Sequence, residues 1–287
     1  MKHFLLTIFI LTLIPCHNRA QDSNDSTHIK EKDDRPLYLE SGIGSAISTY
    51  RDFATSPLIY YGSLLSIPVT LRSMDEKREI EFTFRNSIGA YDIFFGDELT
   101  MSTGFVNNLR YTHLFQIKKW SAGRLNVKLG GTFDLATIFR LNPSLLNNAT
   151  GYELIGSLHA SGKLLVDLSR KEARTIDLLW VPFYFKPRRR EINFQLDIGL
   201  VNANYRNGYA YIGQELILNN IIIFDGYELS VFTGYRFGSK LDFTYYLLNR
   251  NAIRFAYIWD AYTTGGDLPR FEMSHHILEF ALLYNLK

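Results

Sequence analysis

Cysteine is nearly absent: Cys16 is the one thiol in 287 residues. Without it there can be neither a disulfide framework nor a thiolate metal site. Long hydrophobic runs are missing too. Past residue 20 no stretch of about 18 apolar residues occurs, which excludes a helical membrane protein. The chain also lacks an excess of one charge, since 31 basic residues face 29 acidic ones for a formal net of +2. That balance gives no electrostatic reason to expect nucleic acid as a partner. Proline is sparse at 8 and glycine ordinary at 20, which excludes collagen-like and low-complexity sequence. A share of 46% hydrophobic and 15% aromatic residues excludes a disordered chain. No segment after residue 20 carries a 3.6-residue apolar period. Nothing in the composition points to a metal or a cofactor.

What is present begins with an address. Lys2 and His3 precede an apolar run from Phe4 to Ile14, too short to span a bilayer, and polar sequence leads to Ala20. This is the pattern of a secretory signal peptide over residues 1–20, with Gln21 as the first mature residue. A competing reading attaches lipid to Cys16. If Cys16 leaves with the signal, backbone pairing and packing alone must stabilise the exported chain. Residues 21–35 (QDSNDSTHIKEKDDR) are polar and unpatterned and read as a disordered tail.

From Leu37 onward apolar residues recur at every second position, in segments longer than ordinary soluble strands. Ile59, Tyr61, Leu65, Ile67, Val69 and Leu71 share one face, while Gly62, Ser66, Thr70 and Arg72 share the other. Leu125, Val127, Leu129, Phe133 and Leu135 alternate with Arg124, Asn126, Lys128, Thr132 and Asp134 in the same way. Residues 36–287 therefore read as one all-β domain. Alternation alone does not say which face is wet, because a soluble barrel hides its apolar face and a membrane barrel exposes it. Segment length, full charges at mid-strand, and aromatics near segment ends favour the membrane form. Those aromatics are Tyr60, Phe94, Phe95, Trp120, Trp180, Trp259 and Tyr262. The alternative is an exported soluble binding barrel.

Thirteen candidate strands can be marked, near 37–49, 58–72, 78–90, 99–116, 122–140, 151–168, 176–186, 190–201, 208–219, 227–237, 241–248, 251–262 and 273–286. Single-chain bacterial barrels have even numbers. The segment at 176–186 contains Pro182, and 241–248 is the shortest, so both are suspect. The expectation is a transmembrane antiparallel up-and-down barrel of twelve strands, with fourteen as the alternative. Turns SMDEK at 73, KKWSAG at 118 and SRKEAR at 169 look periplasmic, whereas LNPSLLNNAT at 141 and TTGGDLPR at 263 look like outer loops.

The signal peptide, the long two-residue alternation and the closing strand HHILEFALLYNLK together resemble outer-membrane β-barrel proteins of Gram-negative bacteria, most of all the Bacteroidota type. The resemblance covers residues 37–287 as architecture. It implies residence in the cell outer membrane, contact with its lipid and lipopolysaccharide, and insertion by the barrel-assembly machinery. Such proteins usually end on an aromatic residue, whereas here Tyr284 is followed by Asn285, Leu286 and Lys287.

His159-Ala160-Ser161 resembles the His-x-Ser dyad of outer-membrane lipid hydrolases, in which residues i and i+2 share a strand face so that the imidazole can take the hydroxyl proton. By that resemblance Ser161 would be the nucleophile, His159 the base, and Asp167 or Glu172 the orienting acid. The dyad lies on the polar face of its strand, however, while bilayer lipid would meet Leu158 and Ala160. His275-His276 face opposite sides of a strand and cannot chelate one metal together; a loop or interface role is expected for them. The run Lys186-Pro187-Arg188-Arg189-Arg190 could pair with lipopolysaccharide phosphates or form a solvated turn. Charges expected to line the lumen are Arg72, Glu79, Glu81, Arg85, Arg110, Arg124, Lys128, Asp134, Glu153, Lys163, Asp167, Asp197, Arg236, Asp242, Arg254 and Asp260. Pairing among them would narrow or plug the bore. The leading expectation is a non-enzymatic barrel acting as a narrow channel or a structural or accessory component of the envelope. A lipid hydrolase using His159 and Ser161 is the alternative from a different class.

Overall fold

A computed structural model describes residues 35–169, 173–178, 181–185, 187–208, 224 and 226–287. The signal peptide, nearly all of the polar tail, Glu172, Trp180, Lys186 and most of the candidate strand at 208–219 lie outside the described residues. The elements in chain order are β1 (Leu37–Asp52), β2 (Ser56–Met74), β3 (Arg78–Phe95), β4 (Glu98–Gln116), β5 (Leu125–Leu141), β6 (Thr150–Asp167), β7 (Arg174–Leu178), β8 (Val181–Phe185), β9 (Arg190–Asn207), β10 (Tyr227–Val231), β11 (Tyr235–Tyr246), β12 (Ala252–Thr263) and β13 (Phe271–Asn285).

The pairing is antiparallel throughout and closes on itself. β1 pairs with β13 from Tyr38↔Asn285 to Asp52↔Phe271, and β6 pairs with β9 from Leu154↔Tyr205 to Asp167↔Glu191. The circuit β9-β11-β12-β13-β1-β2-β3-β4-β5-β6 contains ten staves, not twelve or fourteen. Two local features account for much of the difference. The segment at 176–186 folds back on itself as the β7–β8 hairpin outside the barrel sheet, and Pro182 sits in that hairpin. The segments at 227–237 and 241–248 belong to one stave. β10 pairs with Asn207–Ala203 of β9, and β11 continues along the same edge from Ile198 to Arg190.

The break between β10 and β11 falls at Phe232 (φ 60) and Gly234 (φ 71). A Cβ on Gly234 would lie 2.1 Å from the Thr263 carbonyl oxygen, so only glycine fits the bend. The sequence reading divides this stretch instead between residues 237 and 241, on either side of Gly238 and Lys240. Both are inward residues within β11.

Parity of side chains decides the environment. Ile43, Ile47 and Leu278 point outward and are 55%, 64% and 66% exposed, whereas Glu40, Arg72 and Glu79 point inward and are each 1% exposed. This inverts the polarity of a soluble barrel and overturns the soluble alternative: the outer wall is a surface that only lipid can cover. Strands of up to 19 residues, such as β2, extend for about 60 Å and project well past a hydrocarbon core of about 30 Å. One rim carries Leu37, Asn285, the turns at 75–77, 117–124 and 247–251, and the ends of β6 and β9 at Asp167 and Arg190, and is called the terminal rim. The loop rim carries the turns at 53–55, 96–97, 142–149 and 264–270. The sequence grouped its periplasmic and outer turns in the same two sets. Two expected girdle aromatics are misplaced, since Tyr60 and Tyr262 point into the bore and are buried. Trp259 does face outward, donating to Ser274 Oγ at 3.2 Å and stacking on His276.

Outward position should control the cost of a charge. Leu65→Arg, in the middle of the apolar band, is expected to cost about 2–4 kcal/mol in urea unfolding from vesicles, and Thr49→Arg near the loop rim about 0–1. Equal costs would contradict the lipid-facing assignment.

Candidate functional site: the interior of the barrel

The interior is built in layers. Nearest the terminal rim, Tyr38, Met74, Tyr246, Ala252, Ala281 and Leu283 form an apolar floor. Tyr246 donates its hydroxyl to Glu191 at 3.0 Å, and Arg189 reaches over its ring at 4.3 Å while pairing with Glu191 at 2.6 Å.

Above the floor lies a lattice of ion pairs. Glu79 accepts from Lys163 at 2.6 Å and Lys128 at 3.4 Å. A second chain of contacts runs Lys240–Glu81–Arg72–Glu40–Arg254–Glu279–Arg85, with Lys240–Glu81 at 3.2 Å, Arg72–Glu81 at 2.5 Å and Arg85–Glu279 at 2.7 Å. Lys240 is on β11 and Glu81 on β3, five staves away in either direction, so this pair bridges opposite walls. Asp242 accepts from Asn193 at 2.8 Å and Thr244 at 3.2 Å. The next belt joins Arg236 to Asp134 at 2.7 Å and Asp260 at 2.5 Å, and Arg110 to Asp134 at 3.4 Å and to Asp197.

An aromatic plug follows. Tyr50 stacks on Tyr60 at 4.8 Å and meets the edge of Tyr91 at 4.8 Å, and Tyr91 shares a hydrogen bond with Ser48 at 3.0 Å. The Tyr91 ring fits because Gly62 and Gly104 flank it; a Cβ at either would lie within about 2.5 Å of the ring. Ile138, Phe271 and Met273 complete the plug. Near the loop rim, Asp52 takes Arg140 at 2.7 Å and Arg206 at 2.9 Å from across the bore, while Arg140 also pairs with Glu153 and lies over the Phe271 ring at 4.5 Å.

The space left inside is small. A cavity of about 30 Å³ lies among Arg85, Asp134, Arg236, Asp260 and His275, and one of about 20 Å³ among Glu81, Arg110, Asp197 and Lys240. Each has room for roughly a water or two. A wider vestibule of about 530 Å³ opens at the terminal rim, bounded by Asp75, Lys128, Asp167, Arg189 and Glu191. Among the described residues no group of three or more His, Cys, Asp or Glu side chains is placed to hold a metal.

Most of the charges expected in the lumen are there. Arg124 is not, being exposed in the turn at 117–124. Asp167 sits at the vestibule and takes no part in the lattice. Partial burial pushes its carboxyl pKa up, but hydrogen bonds from Ser169 outweigh that and hold it below the usual value. Sequence reasoning missed Glu40, Asp52, Arg140, Glu191, Arg206, Lys240 and Glu279, all of which take part in ion pairs. The signal was available in strand parity: Glu40 and Asp52 share the even face of β1 with Tyr38, Ser48 and Tyr50.

The hydrolase expectation fails on geometry. His159 is buried in the interior with neither ring nitrogen hydrogen-bonded, while Ser161 Oγ pairs with Thr132 Oγ1 at 2.7 Å. Asp167 is six residues further along the strand, about 20 Å away. The hydroxyl is hydrogen-bonded to Thr132 and Asp197, not to His159, and it has no route to bilayer lipid. His275 also points inward and is buried within β13, not in a loop, and His276 faces outward to Tyr257 at 2.7 Å. Of the basic run, Arg189 is engaged with Glu191 and Tyr246, and Arg190 lies over Tyr245 at 5.4 Å. Arg188 donates to the Pro187 carbonyl at 2.8 Å. These arginines stand on the terminal rim, with the turns expected to be periplasmic.

Removing one lattice member should be costly because its partners stay buried. Glu79→Ala strands Lys128 and Lys163 and is expected to lose about 3–5 kcal/mol in urea unfolding from vesicles, part of which Lys163→Met should restore. Fatty-acid release from phospholipid micelles should show no dependence on Ser161→Ala; a loss of activity in that variant would revive the hydrolase.

No family model and no curated protein sequence matches the chain. Several solved structures are similar at low identity. The transport unit of the autotransporter AIDA-I from Escherichia coli matches at 8% identity over 90% of this chain and 92% of that one, with a TM-score of 0.43. Neisserial surface protein A matches at 7% over 86% and 97%, with a TM-score of 0.33. An outer-membrane channel from Pseudomonas putida F1 matches at 7% over 91% and 100%, with a TM-score of 0.32. Likenesses of this size assign no activity to the chain.

Proposed function

We propose that this protein is an integral outer-membrane barrel with a sealed bore, serving as a non-enzymatic structural or accessory component of the envelope, not as an open channel. The observation that carries this reading is the ion-pair chain from Lys240 to Arg85, which bridges opposite walls. Its charges are side chains on rigid strands, each fixed by at least one partner. Opening a passage would leave several of them buried and unpaired, at about 3–5 kcal/mol for each broken pair. The aromatic plug blocks the bore a second time, independently of charge. The inverted wall polarity supports residence in a membrane, and the signal-peptide pattern over residues 1–20 supports export to the outer one. Assembly by the barrel machinery through the closing strand, and contact with outer-membrane lipid, belong to the same reading.

Planar-bilayer recording on folded, detergent-purified protein tests it. Silence is expected from protein whose folding is verified by heat-dependent gel mobility. Stepwise ionic currents would establish a channel and overturn the sealed-bore reading. The double variant Glu81→Ala/Tyr91→Ala, which thins both the lattice and the plug, is expected to give intermittent conductance if it folds.

A further inference from the structure

The two rims differ in charge, and the difference lies outside the bore. On the terminal rim Lys77, Lys118, Lys119, Arg124 and Arg250 are exposed. The loop rim reads the other way, with Asp92, Asp97, Glu98, Glu228 and Asp267 exposed and Arg51 and Arg270 as its outward bases. We propose that the collar formed by Lys77, Arg78, Lys118, Lys119 and Arg124 around Trp120 binds the phosphate headgroups of anionic phospholipids in the leaflet that meets the terminal rim. This rests on the membrane-standing barrel proposed above.

Three features make the collar more than a solvated charge run. First, it is held together. Gln116 N donates to the Lys77 carbonyl at 2.8 Å and Asn126 Nδ2 to the Glu76 carbonyl at 2.8 Å, so the turns at 75–77 and 117–124 form one continuous surface. Second, it stands at the edge of the apolar band. Phe115 and Leu125 are the last outward apolar residues of β4 and β5 and are exposed; Arg78 pairs in register with Phe115 and donates to His113 Nε2 at 2.9 Å, lying along the wall. Trp120, on the short 3-10 turn Lys118–Trp120, is 55% exposed, as an indole at a membrane–water interface is. Third, the collar's charge is free to act. Lys77, Lys118, Lys119 and Arg124 make no ion pair within 4 Å among the described residues. The nearby acids are partly engaged. Asp75 accepts from the backbone of Lys77 and Arg78, at 2.8 and 2.5 Å, and lies 4.0 Å from Arg35. Asp167 accepts from Ser169 at 2.7 Å. Only Glu76 remains as an exposed carboxylate in these turns. Long basic side chains flanking an interfacial indole reach headgroup phosphates while their stems stay on the apolar wall.

Acyl-chain-brominated lipids test this with the full chain in vesicles. Trp120 is retained as the sole reporter by Trp180→Phe and Trp259→Phe, and Trp259 serves as the loop-rim control in the converse variant. In phosphatidylcholine vesicles, brominated phosphatidylglycerol should be enriched around Trp120 about threefold over brominated phosphatidylcholine at the same mole fraction, with no preference at Trp259. The preference should fall towards one in Lys118→Gln/Lys119→Gln and at about 0.5 M salt. Equal quenching of Trp120 by both lipids in folded protein would overturn the proposal, as would a preference that survives the double lysine substitution. Loss of the preference on adding inorganic phosphate would point to a free anion site and overturn the lipid assignment. If neither lipid quenches either tryptophan, the membrane reading itself fails, which is a different result.

Discussion

Most charges inside this barrel meet an opposite charge from another stave, because the wall offers lipid on one side and packed protein on the other. A buried unpaired ion costs several kcal/mol. The requirement reaches back to strand register. A slip of one residue in β1 would turn Glu40 and Asp52 into lipid and Leu39 and Ile43 into the lattice. Where the chain departs from regular pairing, it keeps the inward face intact. At the irregularity between Leu158 and His159, Leu200 of β9 is the extra residue, and the inward set of β9 changes from odd positions (Glu191 to Asp197) to even ones (Asn202 to Arg206).

That constraint also separates the surfaces by task. The interior is committed to pairing and packing. The outer wall is committed to apolar contact. What can interact freely is confined to the rims and to the vestibule at the terminal end, and there the charge is uneven. Basic turns flank Trp120 on one side, while the other rim is mainly acidic. An uneven rim charge of this kind can bias which lipids and surfaces each end meets.

Much of this was legible in the sequence and some was not, for identifiable reasons. The two-residue period announced long strands, and full charges on the polar face of β5 and β6 announced a charged interior. Stave number was harder. Inward Gly238 and Lys240 mimic a turn, whereas the bend at Phe232 to Gly234 lies in a stretch that reads as continuous strand. Pro182 was a correct warning about the 176–186 segment, which folds as a hairpin and adds no stave. Glu279 and Arg140 escaped notice because their inward neighbours Ile277, Ala281, Ala136 and Ile138 are apolar, so polarity does not mark that face. Tyr60 and Tyr262 were assigned to the girdle because they lie near strand ends, yet their parity turns them into the plug.

The sequence by itself determined the class of fold and marked many of the charges that enter its bore. Alternation is a local property of neighbouring residues, and a strand's two faces are written directly in it. Only the tertiary structure decided which face is inside and which charges meet. Those outcomes depend on the closure of ten staves, and on the reach of side chains such as Lys240 and Glu81 from opposite walls, which sequence spacing does not encode.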